Sequence, residues 1–435
     1  MTTCPDWRAP STFCLWLRAG PRRQEENKGA IQRKTAFDAG SLGIKKAARR
    51  ALSALAFALC IGTGAPSPGA DVPAGADHLF PIEVGGKYGY IDRTGKEVVE
   101  PQFLLAWESS EGLGLVHLGG TGPSFVHVRY GRAGIEWLTE TGFDFAKEFR
   151  EGLAGVCVGF RARPGRAVEW RNPKTGGLVS GHVWEFDWGK WGYIDRTGGY
   201  VIRPRFDLAQ GFSEGLAAVR VGDKWGYVDR AGELVVKPQF DSAGQYSEGL
   251  ARIGVGKKEP YAYGFIDRSG KVIINPQFAE AGDFRCGLCP VGVRDSREGL
   301  KRDEAPKEAK EPLRFGYINS VGRMLIGAAF EEASSFSGGL AAVRMKGKVG
   351  YIAPTGVLAI APTFEDGLSF SDGLAAVRVD GKWGYIDRGG AFAIPARFDS
   401  AASFSQGLAA VTEQDRKGYI NTRGAYVWRT QTVPQ

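Results

Sequence analysis

The alternation of apolar and polar positions is clearest over residues 215–247. GLAAVRV (215–221) reads as a first strand, KWGYVDR (224–230) as a second and ELVVK (233–237) as a third. Within the second strand, Trp225 and Tyr227 fall on one face and Gly226 and Val228 on the other. The glycine face is bare enough for close approach of a neighbouring layer. Asp229 opens the turn between second and third strands by accepting backbone N–H groups, and Gly232 takes the positive φ of a bulged turn. Pro238, which cannot donate to a ladder, is expected to stop the third strand. DSAGQYSEG (241–249) then returns the chain to the next first strand.

This unit recurs. GKWGYIDR stands at 189–196 and again at 381–388, with GKYGYIDR at 86–93 and DKWGYVDR at 223–230. Aligned on the glycine after the aromatic, the copies fall at Gly89, Gly192, Gly226, Gly264, Gly316, Gly350, Gly384 and Gly418, and four of the intervals are 34 residues. A degenerate copy, IEWLTETG (135–142), makes nine; it runs straight into Phe143 without a third strand, so a gap is expected there. A lone three-stranded meander cannot bury both faces, so neighbours must stack. The chain is therefore expected to be all-β, a tandem array of about nine three-stranded antiparallel modules. An open superhelix or horseshoe is favoured, because whole modules stand at both ends (LFPIEV, 79–84; AYVWRT, 425–430) and each is short of a four-stranded blade. The alternative is a closed propeller-like ring.

The recurring (K)WGYIDRTG, with the P-x-F and F-x-E-G-L-A that follow it, resembles the bacterial WG (KWG) repeat family from about Leu79 to the C-terminus. The resemblance implies a non-enzymatic, often exported β module. Tyr88, Trp191, Trp225 and Trp383 are the repeat's structural aromatics.

Charge changes the picture through its location. The chain carries a formal +8, but residues 1–70 hold 11 Lys and Arg against 4 Asp and Glu, and the remainder is nearly neutral. No nucleic-acid partner is expected of such a body. The basic KKAARR (45–50) followed by the apolar ALSALAFALCIGTG (51–64) has the layout of a secretory signal, so 42–76 is read as signal peptide and cleavage region, with cleavage after Ala70 or Ala76. Residues 1–41 are expected to be an untranslated or disordered leader, and 77–435 the array, with no membrane span. The mature protein is then periplasmic or extracellular.

Four insertions, near 119–134, 159–188, 256–262 and 294–314, all fall between first and second strands, which puts them on one edge. The second offers Phe160, Trp170, His182, Trp184 and Trp188, residues suited to gripping a protein or a cell-wall polymer; the bland alternative is a hairpin with its own small core. The fourth is nearly all charge and reads as a solvated loop. Cys286 and Cys289 form a C-x-x-C that suggests a disulfide, although they sit at repeat positions. No metal-ligand spacing, nucleophile elbow or phosphate loop occurs, so no metal, cofactor or catalytic residue is assigned. The leading expectation is an exported, non-catalytic scaffold; the alternative is an enzyme acting on envelope glycans.

Overall fold

The computed structural model describes residues 78–430, apart from 121–123, 132–133, 140–141, 172–177, 257–260 and 295–312. The expected leader and signal peptide lie outside these residues. Among the described residues the regular elements are β-strands, arranged in chain order as nine antiparallel sheets. The first has three strands (Phe80–Val84, Lys87–Ile91 and Glu97–Phe103) and each of the others has four.

The additional strand lies in what the sequence presents as a turn. Leu208–Ala209 pairs with the strand that follows it, Leu208 opposite Arg220 and Ala209 opposite Val219. Two residues are too few to leave an alternation signal. The third strand also differs from expectation, because Leu234–Phe240 continues through Pro238. Tyr227 stands opposite Val236, whereas Trp225 stands opposite Phe240, so two steps on one strand face four on the other. The surplus residues arch over Gly226 as a bulge that leaves the proline nitrogen unpaired without breaking the strand. A Cβ on Gly226 would lie 2.7 Å from Pro238 N and 2.9 Å from Lys237 C. Gly89, Gly192, Gly264, Gly350 and Gly384 meet the same crossing at 2.6–2.7 Å. The bare face of the second strand thus receives its own module's third strand rather than a neighbouring layer.

The remaining faces join the modules. Tyr227 packs with Tyr246, Ala251, Ile253 and Ile266 of the next sheet, while Val228 packs with Ile202, Phe206 and Phe212 on the preceding side. The tyrosine hydroxyl donates forward to a backbone carbonyl of the next module: Tyr193 to Gln210 at 2.6 Å, Tyr227 to Gly244 at 2.8 Å and Tyr385 to Ala402 at 2.8 Å. These tyrosines are fully buried. Trp191 is buried as well, but Tyr88, Trp225 and Trp383 are only partly so.

The last sheet meets the first in the same way. Tyr419 donates to the Pro81 carbonyl at 2.9 Å, Lys417 pairs with Glu83 at 2.6 Å, and Arg93 reaches Gln406 at 2.7 Å. Phe80, Ile82 and Ile91 pack with Leu408, Tyr419, Val427 and Trp428. The array therefore closes, and the propeller-like ring replaces the open superhelix. Whole modules at both ends do not prevent closure, because this seam is made face to face by side chains and needs no sheet shared between the ends.

The second module also corrects the sequence reading. The span assigned to an insertion near 119–134 contains the second strand, Phe125–Gly131, and the third is Gly134–Trp137, paired Val128 to Trp137 and Arg129 to Glu136. No strand is missing. Val126 occupies the repeat glycine's place, opposite Val116 as Gly226 is opposite Val219, and so hides the motif.

Because the crossing leaves no room for a side chain, Gly226→Ala should cost about 3 kcal/mol in chemical denaturation. Gly222→Ala, at φ 61° with nothing within 4 Å, should cost about 1 kcal/mol from backbone strain alone.

Candidate binding face

The insertion at 159–188 extends two strands of the third sheet into a long hairpin, Leu153–Arg171 against Leu178–Asp195. Its root is marked by two facing glycines in the left-handed region, Gly159 (φ 88°) and Gly189 (φ 69°). Just beyond them Phe160 pairs with Trp188. Phe160 stands 5.2 Å from Phe145, 5.7 Å from Trp188 and 6.2 Å from Phe186, while Phe186 and Trp188 are 5.7 Å apart. Phe145 is buried and Phe160 half-buried, yet Phe186 is 49% and Trp188 47% exposed. The cluster is anchored in the core at one end and open at the other.

Beside it lies a cleft of about 490 Å3 lined by Phe186, Trp188, Arg163, Lys190, Asp207 and Arg220. Lys190 pairs with Asp207 at 2.5 Å, and Asp207 also accepts the Gly222 N–H at 2.7 Å. Burial opposes ionisation of Asp207, but the bonds from Lys190 and Gly222 outweigh it and hold the carboxyl below its ordinary range. The same lysine–aspartate pair recurs as Lys224–Asp241 and Lys382–Asp399, so it belongs to the repeat. What is peculiar to this sheet is the aromatic platform.

The structure brings Phe160 and Trp188 together. Trp170 pairs with Val179, His182 with Ala167 and Trp184 with Pro164, all further out along the hairpin, and the side chains of these three lie outside the described residues. Phe145, Lys190 and Asp207 were not singled out from sequence. The recurrence of Lys-Trp-Gly and Phe-Asp at constant separation was the available sign of the ion pair.

The C-x-x-C reading is corrected. Cys289 is a free, fully buried thiol whose pKa burial drives upward, so no Cys286–Cys289 bridge forms. Position 286, at φ 53°, is where other modules place an acid. There Glu151, Glu214 and Asp372 reach forward to accept the N–H of the next turn's glycine, Gly215, Gly249 and Gly407, at 2.7–3.0 Å. The aspartates ending the second strands cap their turns: Asp195 accepts Thr197 N–H at 2.8 Å, and Asn319 does the same for Arg323 N–H at 2.9 Å. Among the described residues no group of three or more His, Cys, Asp or Glu could hold a metal ion.

A profile of the WG-containing repeat matches eight times, at residues 88–121, 136–159, 191–225, 225–258, 263–295, 315–348, 350–383 and 383–416. The chain belongs to the WG-repeat family. No curated protein matches it. Among solved structures, a eukaryotic initiation factor is similar at 12% identity and TM-score 0.52, over 81% of this chain and 95% of that one. A dipeptidyl peptidase 4 from Porphyromonas gingivalis aligns at 9% identity and TM-score 0.39, over 69% of this chain and 54% of that one. The first likeness concerns the fold alone.

The least regular WG module is the second, and its histidines follow from the repeat. His127 faces Leu115 as Tyr227 faces Ala218, and its Nε2 bonds the Lys147 carbonyl at 2.7 Å, the bond made elsewhere by the tyrosine hydroxyl. It is 1% exposed and stands 4.8 Å from the Phe149 ring. His117 bonds Ser124 at 2.8 Å. Burial pushes the His127 pKa down to about 4, against a partly offsetting bond to Lys147. A depressed folded-state pKa means that the unfolded chain binds the proton more tightly. Stability should therefore be full above about pH 6.5 and fall between 6.5 and 4 by on the order of 3 kcal/mol. His127→Gln should flatten that part of the pH profile in denaturant melts; an unchanged slope would remove His127 as its source.

Proposed function

We propose that this WG-repeat ring is an exported, non-catalytic scaffold that binds a protein or a cell-envelope polymer through the hairpin edge of its third sheet. The observation carrying this reading is the pair of half-exposed aromatics, Phe186 and Trp188, held in place by Phe160 and Phe145 beneath them. Rigid aromatic faces bury large areas at small entropic cost, and they stack equally well on a peptide or on a sugar ring. Export is supported by the basic and apolar stretches at 45–64, which have the composition of a secretory signal.

The alternative of a glycan-acting enzyme finds less support. Glycoside hydrolysis needs one carboxyl kept protonated near neutrality beside one that is ionised. In the cleft Asp207 is committed to Lys190 and to a backbone N–H, which keeps it ionised.

The test is binding of the full chain to purified peptidoglycan by cosedimentation and to envelope proteins by pull-down. Phe186→Ser with Trp188→Ser should weaken capture at least about tenfold while leaving the melting temperature within a few degrees. Retention of every partner by that double variant, and by a chain lacking 165–182, would sink the proposal.

A further inference from the structure

One arginine of the ring lacks the partners that its position in the repeat provides elsewhere. Arg220, Arg344 and Arg378 hold the same place in their modules, each opposite the first residue of the short strand. Arg344 faces Glu332 and donates to it from Nε at 2.8 Å. It also reaches Asp366, on the next short strand, at 3.1 Å and donates to the Glu365 carbonyl at 3.0 Å. Arg378 stands 3.8 Å from the Glu365 carboxylate. Around Arg220 the same positions read differently. Leu208 stands opposite it, where Glu332 stands opposite Arg344, and Ser242 opens the next short strand as Asp366 does. Asp207, the counterpart of Glu365, is occupied: its Oδ1 pairs with Lys190 and its Oδ2 accepts the Gly222 N–H. Among the described residues Arg220 makes no hydrogen bond or ion pair, and its Nε is buried without an acceptor. A guanidinium fixed at one end with its donors unclaimed is prepared for an anion from outside the chain.

Arg220 lines the cleft of about 490 Å3 beside Phe186 and Trp188. A carboxylate received there lies next to two open aromatic faces. The charged groups of the cleft balance, with Arg163, Lys190 and Arg220 against Asp187, Asp207 and Asp223. Such a lining exerts no long-range pull on a polyanion, and its own carboxylates repel one. A single carboxylate carried on an apolar group suits it better. We propose that the cleft takes the C-terminal end of a peptide, with the free α-carboxylate on Arg220 and an apolar last side chain on Phe186 and Trp188. The inference rests on the reading of this face as a binding face and names what it receives. The planar guanidinium matches a carboxylate with two parallel bonds, and a cleft of this size holds a short terminal segment.

Fluorescein-labelled pentapeptides ending in leucine or phenylalanine, each made with a free carboxyl and as the C-terminal amide, are titrated with the full chain by fluorescence polarisation. The free acids should bind, and amidation should weaken binding at least about tenfold. Arg220→Gln should abolish that preference, leaving acid and amide equal. Leu208→Glu, which restores the repeat's own partner to Arg220, should weaken the acids by a similar factor. A melting temperature within a few degrees of the parent shows that a variant keeps the ring, and if one variant does not fold the other decides. Equal binding of acid and amide to the parent chain, or binding of neither, overturns the proposal. So does Arg220-dependent binding of trigalacturonate in place of the peptides, which assigns the carboxylate to an acidic saccharide. The binding face is judged separately. Failure of these peptide results, with envelope capture still lost on Phe186→Ser with Trp188→Ser, leaves the face standing and removes only its proposed ligand.

Discussion

The fold depends on one close crossing, that of the third strand's backbone over the second-strand glycine. Pro238 N would lie 2.7 Å from any Cβ at position 226. No other L-residue leaves that space, and without it the bulge could not cross. The crossing has a consequence for the path of the chain. It carries the third strand from its pairing at Tyr227 and Val236 to Phe240, one residue short of the next module's short strand at Ser242. In the modules that carry it, the glycine therefore sets where one module hands over to the next. The tyrosine beside it then fixes the two modules together, with its ring in the next core and its hydroxyl on the next backbone.

These two duties explain what was legible in the sequence. Gly226, Tyr227 and Asp229 act within their own short segment or on the adjacent one, so each leaves a mark at constant spacing, and from those marks came the all-β tandem array. The short strand left no mark, because the pair Leu208–Ala209 carries no alternation. Closure was hidden for another reason. Tyr419 resembles every other repeat tyrosine, and nothing in its surroundings announces that its acceptor is Pro81, more than three hundred residues away. The second module was misread because Val126 and His127 replace Gly and Tyr, and a pattern search keyed on glycine passes to the next plausible aromatic, Trp137. His127 preserves the forward bond to a carbonyl while losing the spelling.

The candidate face was legible in place but not in composition. The insertion between first and second strands gave its position, yet the residues that meet at its root come from three stretches: Phe145 from the short strand, Phe160 from one arm, and Phe186 with Trp188 from the other. The sequence list reached along the arm to Trp170, whereas the platform forms where the arm leaves the ring. Lys190 and Asp207 show the complementary point. They sit in the same cleft, but their pairing recurs around the ring, so it reflects the architecture rather than a ligand.

Closure also constrains how such a chain can change over generations. An open array can lose or duplicate a unit and leave every surviving interface as it was. Here the seam between Tyr419 and Pro81 makes the angle at each interface depend on all the others. Excision of the second unit would ask the remaining eight to meet at a steeper pitch.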